Sequence, residues 1–295
     1  MGGTNAQLPV GCQMSLSGHR PTTTQFNCMA QAAHTPIDSS IAHKKELLEK
    51  LAEKRIAVIT QAVTQGLNPA APMRDSGIPW LGQVPQHWEV RRLKFYSERV
   101  FTGSTPPSAE TQYYEEPTVN WFTPSDFTDE GAPVSDSNRK LNISAVSDGV
   151  VRFFEMPCAL IVSIGATLGR VGFTKGGFAC NQQINVVVPA AGMDAKFLFY
   201  SLSTKRATMK VISNATTLGI MNQDTTRQID ISAPLIDEQI EIVEFLDSAV
   251  DEFDRLARKV AEAIDRLTEY RTALITSATT GKIDVRNVKI PQPAA

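Results

Sequence analysis

This 295-residue chain lacks the signatures of catalysis. Gly281-Lys282 follows Thr279-Thr280, but Thr276 stands where a phosphate loop needs its first glycine. Ile283 replaces the Ser or Thr that would meet magnesium, so no nucleotide cradle is present. Gly165-Ala-Thr-Leu-Gly169 is a lone glycine pair in a strand-rich stretch and predicts a bulge or tight turn. His19, His34, His43 and His87 are scattered, which supports neither a metal cluster nor a nucleophile–histidine arrangement. Cys12, Cys28, Cys158 and Cys180 show no zinc spacing and predict reduced thiols in a cytoplasmic protein. Glu115-Glu116 and Asp126, Asp129 and Glu130 are not followed by a lysine-bearing nuclease strand, so they read as solvated loop carboxylates. No apolar run approaches the roughly 18 residues of a membrane helix, and the first residues lack the basic-then-apolar pattern of a signal peptide. The net charge of −2 excludes a uniformly basic coat but leaves room for a local basic face.

What is present is a helix ending written twice. Leu51-Ala-Glu53-Lys-Arg55-Ile-Ala57-Val-Ile59-Thr60-Gln-Ala62-Val-Thr64 recurs as Leu267-Thr-Glu269-Tyr-Arg271-Thr-Ala273-Leu-Ile275-Thr276-Ser-Ala278-Thr-Thr280. A glycine follows each copy, Gly66 and Gly281. The copies lie too far apart for a solenoid and frame a central block. In the first helix Ile37, Ile41, Leu48, Leu51, Val58 and Ala62 form one stripe, interrupted by Lys44 and Arg55, with Asp38 or Ser39 as its cap. In the second, Val243, Leu246, Val250, Phe253, Ala257, Val260, Ile264, Leu267, Leu274 and Ala278 alternate three and four apart, with Arg271 in the series. That is an a/d seam over about five heptads, on a helix of about 60 Å. Both helices share one register and place an arginine at the same a-type position, which predicts an antiparallel coiled coil within one chain or between two. An arginine at such a seam would fix register at some cost in stability.

The block between them changes character. Val119-Asn-Trp121-Phe122, Ala159–Ser163 and Ile184–Val188 are strand-like runs, punctuated by Gly165, Gly169, Gly172, Gly176 and Gly177. Lys196–Ile212 has a helical pattern. The predicted organisation is a poorly ordered tail over 1–36, a short helix over 37–65, a mixed α/β (α+β) domain with an irregular sheet over 66–236, a long coiled-coil helix over 237–280 and a tail over 281–295.

Four stretches together resemble the DNA-specificity (S) subunit of type I restriction–modification systems, over about residues 36 to 287. The first runs from Glu53-Lys-Arg55 through Val63-Thr64-Gln-Gly66-Leu67-Asn68-Pro69. The second, Asp75-Ser-Gly77-Ile-Pro79-Trp80-Leu-Gly82-Gln-Val-Pro85-Gln-His-Trp88-Glu-Val, looks like the lead-in to a target-recognition domain. Gly103-Ser-Thr105-Pro106 and Ser163-Ile-Gly165-Ala166-Thr167-Leu-Gly169 through Cys180-Asn181-Gln182 look like its body. The last runs from Pro234-Leu-Ile-Asp-Glu238-Gln239 to Gly281-Lys282-Ile283-Asp284-Val285. The resemblance implies two recognition domains in a complete subunit, each reading half of a split DNA target, with the helices spacing them and docking the modification subunits. Methyl transfer from S-adenosylmethionine then belongs to those subunits, and ATP- and Mg-dependent translocation and cleavage to a restriction subunit. No cofactor is expected in this chain, and no Asn-Pro-Pro-Tyr motif of an adenine methyltransferase is found. Only one recognition domain is recognisable. The chain is therefore expected to be a half-length subunit that homodimerises, one piece of a split gene, or a decayed fragment, with homodimerisation favoured by the shared seam.

Candidate DNA contacts are polar or cationic loop residues: Ser104, Thr105, Asn138, Arg139, Lys140, Arg152, Arg170, Lys175, Asn181, Gln182, Gln183, Asn222 and Gln223. Each also reads as an ordinary solvated loop residue, and Asn181-Gln182 as a pair that stabilises a turn. Tyr113, Tyr114 and Trp121 read as core or platform residues. The assembly seam is expected to use Ile41, Leu48, Leu51, Arg55, Val58, Val243, Leu246, Val250, Phe253, Val260, Ile264, Leu267, Arg271 and Leu274. The alternatives to a DNA reader are a coiled-coil scaffold whose middle domain binds protein, and an enzyme with an unrecognised site.

Overall fold

The computed structural model describes residues 23–213 and 219–283. Helix α1 spans Thr23–Gln65. Strands β1 (Met73–Asp75), β2 (Gln83–Pro85), β3 (Glu89–Arg92), β4 (Ser97–Thr102), β5 (Val119–Phe122), β6 (Ala132–Pro133) and β7 (Lys140–Leu141) follow. Next come the short helix α2 (Ser144–Ser147) and strands β8 (Cys158–Val162), β9 (Val171–Thr174), β10 (Phe178–Cys180) and β11 (Ile184–Pro189). Helices α3 (Ala195–Ser203), α4 (Arg206–Ser213) and α5 (Gln223–Thr226) precede strand β12 (Asp230–Ala233) and helix α6 (Ile236–Thr279). The chain forms two compact units: the described parts of Met1–Ala52 with Glu252–Ala295, and Glu53–Asp251. The two long helices run through both.

In the helical unit the expected stripe is visible as burial. Ile37, Ile41, Lys44, Leu48 and Leu51 on α1 are partly covered, as are Phe253, Ala257, Val260, Ile264, Leu267, Arg271 and Leu274 on α6. Asp38, early in α1, pairs with Arg271, late in α6, at 3.0 Å, and the helices run antiparallel. α1 starts at Thr23, before the expected Ile37. The segment from Thr23 to Ala33 ends in Met29-Ala-Gln-Ala-Ala33, good helix formers without an amphipathic stripe, which periodicity alone does not mark. Pro36 lies inside the helix, where it withdraws one backbone donor. The expected tails otherwise fall outside the described residues, over 1–22 and 284–295, with Asp284 and Val285 of the resemblance among them.

Both copies of the repeated ending close on a left-handed glycine. Gly66 (φ 75°) donates its N–H to Ala62 O at 3.2 Å, and Gly281 (φ 72°) to Ala278 O at 3.2 Å. A residue with Cβ is strained in that conformation, which is why glycine follows each copy. The two arginines differ. Arg271 is half-exposed, whereas Arg55 is buried and sends its fork to the carbonyls of Glu130 (3.1 Å) and Gly131 (3.2 Å). The expected common seam role therefore fails for Arg55, which ties α1 to the loop before β6. Val58, Val243, Leu246 and Val250 likewise pack with the core of the central unit. The heptad pattern continues through them because a helix on a domain face needs the same apolar period as a helix on a helix.

The central unit is layered. Five strands run in the order β4-β11-β8-β9-β6 and three in the order β10-β5-β7. Both sheets mix parallel and antiparallel pairs, since β6 joins β9 and β10 joins β5 in parallel. The expected runs become β5, β8 and β11, and β8 and β11 are buried over almost their whole length. Apolar side chains on both faces signal a strand covered on both sides. One face of the large sheet, with Val100, Ala159, Ile161 and Val187, packs under Phe197, Leu198 and Leu202 of α3. The other face, with Leu160, Val162, Ile184 and Val186, meets Phe122, Phe178 and Cys180 of the small sheet. Beyond the small sheet, Tyr113, Trp121, Leu141, Ala145 and Val151 form an outer cluster. The expected Lys196–Ile212 helix is broken into α3 and α4. Ser203 Oγ bonds Tyr200 O (2.7 Å) and Thr204 Oγ1 bonds Ser201 O (2.8 Å), hydroxyl contacts that compete with the backbone ladder at the break.

Two features lock α6 to this unit. Glu238 accepts from Trp88 Nε1 (3.0 Å) and bonds His87 Nε2 (2.8 Å). Gln239, 1% exposed, donates to Gly192 O (3.1 Å) and Pro234 O (2.9 Å) and accepts from Asp194 N (2.9 Å). The Glu-Gln pair thus fastens the start of the helix to the segments before β3 and α3. At the α3–α4 break Lys205 is 4% exposed, with its ammonium 4.2 Å from the ring centre of Trp80.

Candidate nucleic-acid interface

Antiparallel pairing brings the end of β4, the end of β8 and the start of β11 to one edge of the large sheet. Thr102 faces Asn185, and Val162 faces Ile184. The loops 103–107, 163–170, 181–183 and 220–226 therefore converge there, held by main-chain bonds. Gly103 N donates to Ile184 O (3.1 Å), Ser104 N to Cys180 O (2.9 Å), Ser163 N to Gln183 O (2.8 Å) and Met221 N to Ser163 O (2.9 Å). Gly103 lies so close to the facing chain that a Cβ would stand 2.3 Å from the carbonyl oxygens of Cys180 and Asn181. Beneath the loops, buried Asn185 donates to Met221 O and Thr226 Oγ1, both at 2.8 Å, and accepts from Thr102 Oγ1 at 2.9 Å.

The candidate contact residues divide by what holds them. Ser104 is anchored, its hydroxyl on Val150 O (3.1 Å) and its carbonyl under Trp121 Nε1 (3.1 Å). The Thr105 hydroxyl bonds the Gln182 amide oxygen, and both residues are exposed. Asn181 is buried and forms a turn with Gln183 (3.0 Å from its Oδ1 to Gln183 N), the turn-stabilising role its sequence allows. Asn222 caps α5 through Thr225 N (2.8 Å). Gln223 seals the free edge of β4, its oxygen accepting from Thr102 N and its nitrogen donating to Val100 O, each at 3.1 Å. Gly165 O receives Leu168 N (3.1 Å) and Val162 O receives Gly169 N (2.9 Å), which closes the expected tight turn.

The cations divide too. Arg170 is bound to Asp129 (2.9 and 3.1 Å) and to Phe127 O (2.9 Å), and Arg206 joins the same carboxylate at 2.7 Å. The hydrogen bonds from Arg170 and then Arg206 hold the Asp129 carboxyl below its usual range. Lys140 pairs with Asp136 at 2.8 Å and lowers its carboxyl in the same way. Lys175 sits in the β9–β10 turn, where Thr174 faces Cys158, at the opposite end of the sheet from the gathered loops. Asn138 is exposed, and its main-chain N–H is taken by Asp126 (2.8 Å). Arg139 lies over the Trp121 ring at 4.7 Å, and Arg152 over Phe101 at 4.0 Å. Arg99, which a search of the loops alone misses, lies over the same Phe101 ring at 5.5 Å. The signal for it is Arg99-Val100-Phe101 on an edge strand, where alternation puts the exposed arginine on the same face as the half-buried phenylalanine.

Among the described residues no three His, Cys, Asp or Glu side chains gather as a metal site. Cys158 and Cys180 are buried, and burial pushes the Cys158 thiol up to about 12, so neither supplies a thiolate at neutral pH. Asp126 closes its own turn through Thr123 N (2.7 Å). No described helix is long and apolar enough to cross a membrane.

The chain spans about half the length of the relatives it matches. The specificity subunit of the type I restriction enzyme HindI from Haemophilus influenzae is 27% identical over 204 residues, which cover 68% of this chain and 42% of that protein. A chain in a structure of a type I restriction–modification system superposes with a TM-score of 0.65 at 18% identity, covering 86% of this chain and 58% of that one. The HsdS subunit of Thermoanaerobacter tengcongensis gives 0.54 at 18% identity, covering 88% and 58%. These two solved structures share the fold. Residues 85–266 match the type I restriction modification DNA specificity domain, which is more than half of the chain. The chain belongs to the type I restriction–modification DNA-specificity family.

Proposed function

We propose that this chain is a non-catalytic reader that directs adenine methylation and restriction by partner subunits to a bipartite DNA target. The observation that carries this is the convergence of four loops from separate elements on one edge of a rigid sheet. There the exposed Thr105 and Gln182 side chains stand over a fixed base. Base edges are read by such directional donors and acceptors, held still by a scaffold. The modification subunits would bring S-adenosylmethionine, and the restriction subunit ATP and Mg. With one recognition domain, the chain reads half a site. A second copy, joined through equivalent helices, supplies the other half as an inverted repeat.

Methylome sequencing of cells carrying this chain with its modification subunit tests the reading. A symmetric interrupted adenine motif is expected. An asymmetric motif replaces the homodimer by a different second half. Exchanging residues 66–236 for another recognition domain is expected to change the methylated sequence. An unchanged motif after the exchange would refute DNA reading and favour a protein-binding scaffold.

A further inference from the structure

The central unit neutralises many of its cations internally. Asp129 takes Arg170 and Arg206, Asp136 takes Lys140, Asp247 takes Lys196 and Glu89 takes Arg91. Arg99, Arg139 and Arg152 are handled differently. All three are exposed, and each lies on an aromatic ring with no described carboxylate paired to it. Phe101 carries two of them, and Trp121 carries the third. The two rings belong to one strap, since Trp121 Nε1 holds Ser104 O and Ser104 Oγ holds Val150 O, each at 3.1 Å. Phe101 lies three residues before Ser104, and Arg152 two residues after Val150.

A ring stabilises a guanidinium without cancelling its charge. It also fixes the plane of the fork, so less rotamer freedom is given up when two parallel N–H groups meet an anion. Arg99 stands about 10 Å behind the loop-bearing end of β4 at the rise of a strand. We infer that Arg99, Arg139 and Arg152, mounted on Phe101 and Trp121, form a phosphate track that grips the duplex backbone beside the base-reading loops. This rests on the proposed DNA-reading function. It separates positioning from reading: the track carries affinity and salt dependence, while the exposed loop side chains carry sequence. Arg170 and Lys140, held by acids, are left out of it, and Lys175 lies at the other end of the sheet.

The test uses the full chain with its modification subunit, fluorescence anisotropy on a labelled random-sequence duplex and on a duplex carrying the methylated motif, and a salt titration. Combined Arg99→Gln, Arg139→Gln and Arg152→Gln is expected to weaken both duplexes by a similar factor. It should flatten the slope of log K against log salt by about 2 to 3, at about 0.9 for each phosphate no longer neutralised. The methylated sequence should stay the same. Arg→Lys at the three positions, which keeps the charge, is expected to retain most of the slope and guards against misfolding of the glutamine variant. A wild-type slope in the folded glutamine variant overturns the track. So does a changed methylation motif, which would make these arginines base readers. Loss of the modification subunit with an unchanged slope also overturns it, in favour of a protein contact. If the wild-type complex neither binds duplex nor methylates, the DNA-reading function falls, and the track falls with it.

Discussion

Lys205 offers a test of how the buried base of the central unit balances its charges. The ammonium is almost fully covered, and burial lowers its pKa from 10.5 to about 8, with Asp230 opposing the shift. The folded state therefore disfavours the cation relative to the unfolded chain. At pH 7, below the folded pKa, Lys205 stays protonated, and the lowered pKa costs the fold about 3 kcal/mol relative to a lysine that keeps its ordinary value. Because the folded pKa is the lower one, the unfolded chain binds more protons between about pH 8 and 10.5, so stability recovers as pH rises through that window. Lys205→Met keeps the length that fills the space beside Trp80 and removes the charge. It is expected to stabilise the full chain at pH 7 by about 1 to 3 kcal/mol, the absent cation–ring attraction at Trp80 offsetting part of the gain. The sharper expectation is the pH dependence. Between pH 7 and pH 9 the advantage of the variant should shrink by about 1 kcal/mol, since other titrating groups cancel in the difference. Urea unfolding of both proteins at the two pH values, followed by tryptophan fluorescence and circular dichroism, measures it. A gap that stays constant across that range, or a variant less stable at pH 7 than at pH 9 relative to wild type, would refute the desolvated-cation account.

Three further outcomes follow from named contacts. Arg55→Met should cost about 3 kcal/mol in chemical unfolding, because it strands two carbonyls in the interior, whereas Arg271→Met should cost less than about 1 kcal/mol. Equal costs would restore a shared role for the two arginines. Gly103→Ala must push apart two backbones that stand 2.3 Å from the added carbon, at about 1 to 3 kcal/mol. Methylation of the target in cells is expected to drop while the helical content by circular dichroism holds, and unaltered methylation would show that the loop edge tolerates displacement. Gln239→Met leaves Gly192 O, Pro234 O and Asp194 N unpaired and should cost about 2 to 4 kcal/mol, read as a fall in urea midpoint.

The buried strands were legible because their residues are apolar on both faces, as in Cys158–Val162 and Ile184–Pro189. The helical pair was legible because its period is long and repeated. Arg55 was misread for a physical reason: equivalence in sequence fixes backbone register, while a side chain's partner depends on what tertiary structure brings alongside. The break at Thr204 was hidden because hydroxyl competition with the ladder is a local event inside an apolar pattern. The candidate contacts show the widest gap. Asn181, Asn222 and Gln223 have the polarity of base readers, yet their hydrogen bonds serve turns, a helix cap and a strand edge. Composition marks which side chains can donate and accept, and only topology decides whether those groups are already occupied.

The positions of Gln239 and Asn185 at opposite ends of β11 bear on how such a chain can change over generations. Gln239 grips Gly192, just past the far end of the strand, while Asn185 underlies the loops at its near end, about 20 Å away at the rise of six residues. Side-chain substitutions separated by more than about 10 Å with no shared partner act nearly independently on stability. Loop tips can therefore be rewritten, one exposed residue at a time, without loosening the joint at the start of α6. Under the proposed function, a lineage built this way can acquire a new target while keeping its helical frame.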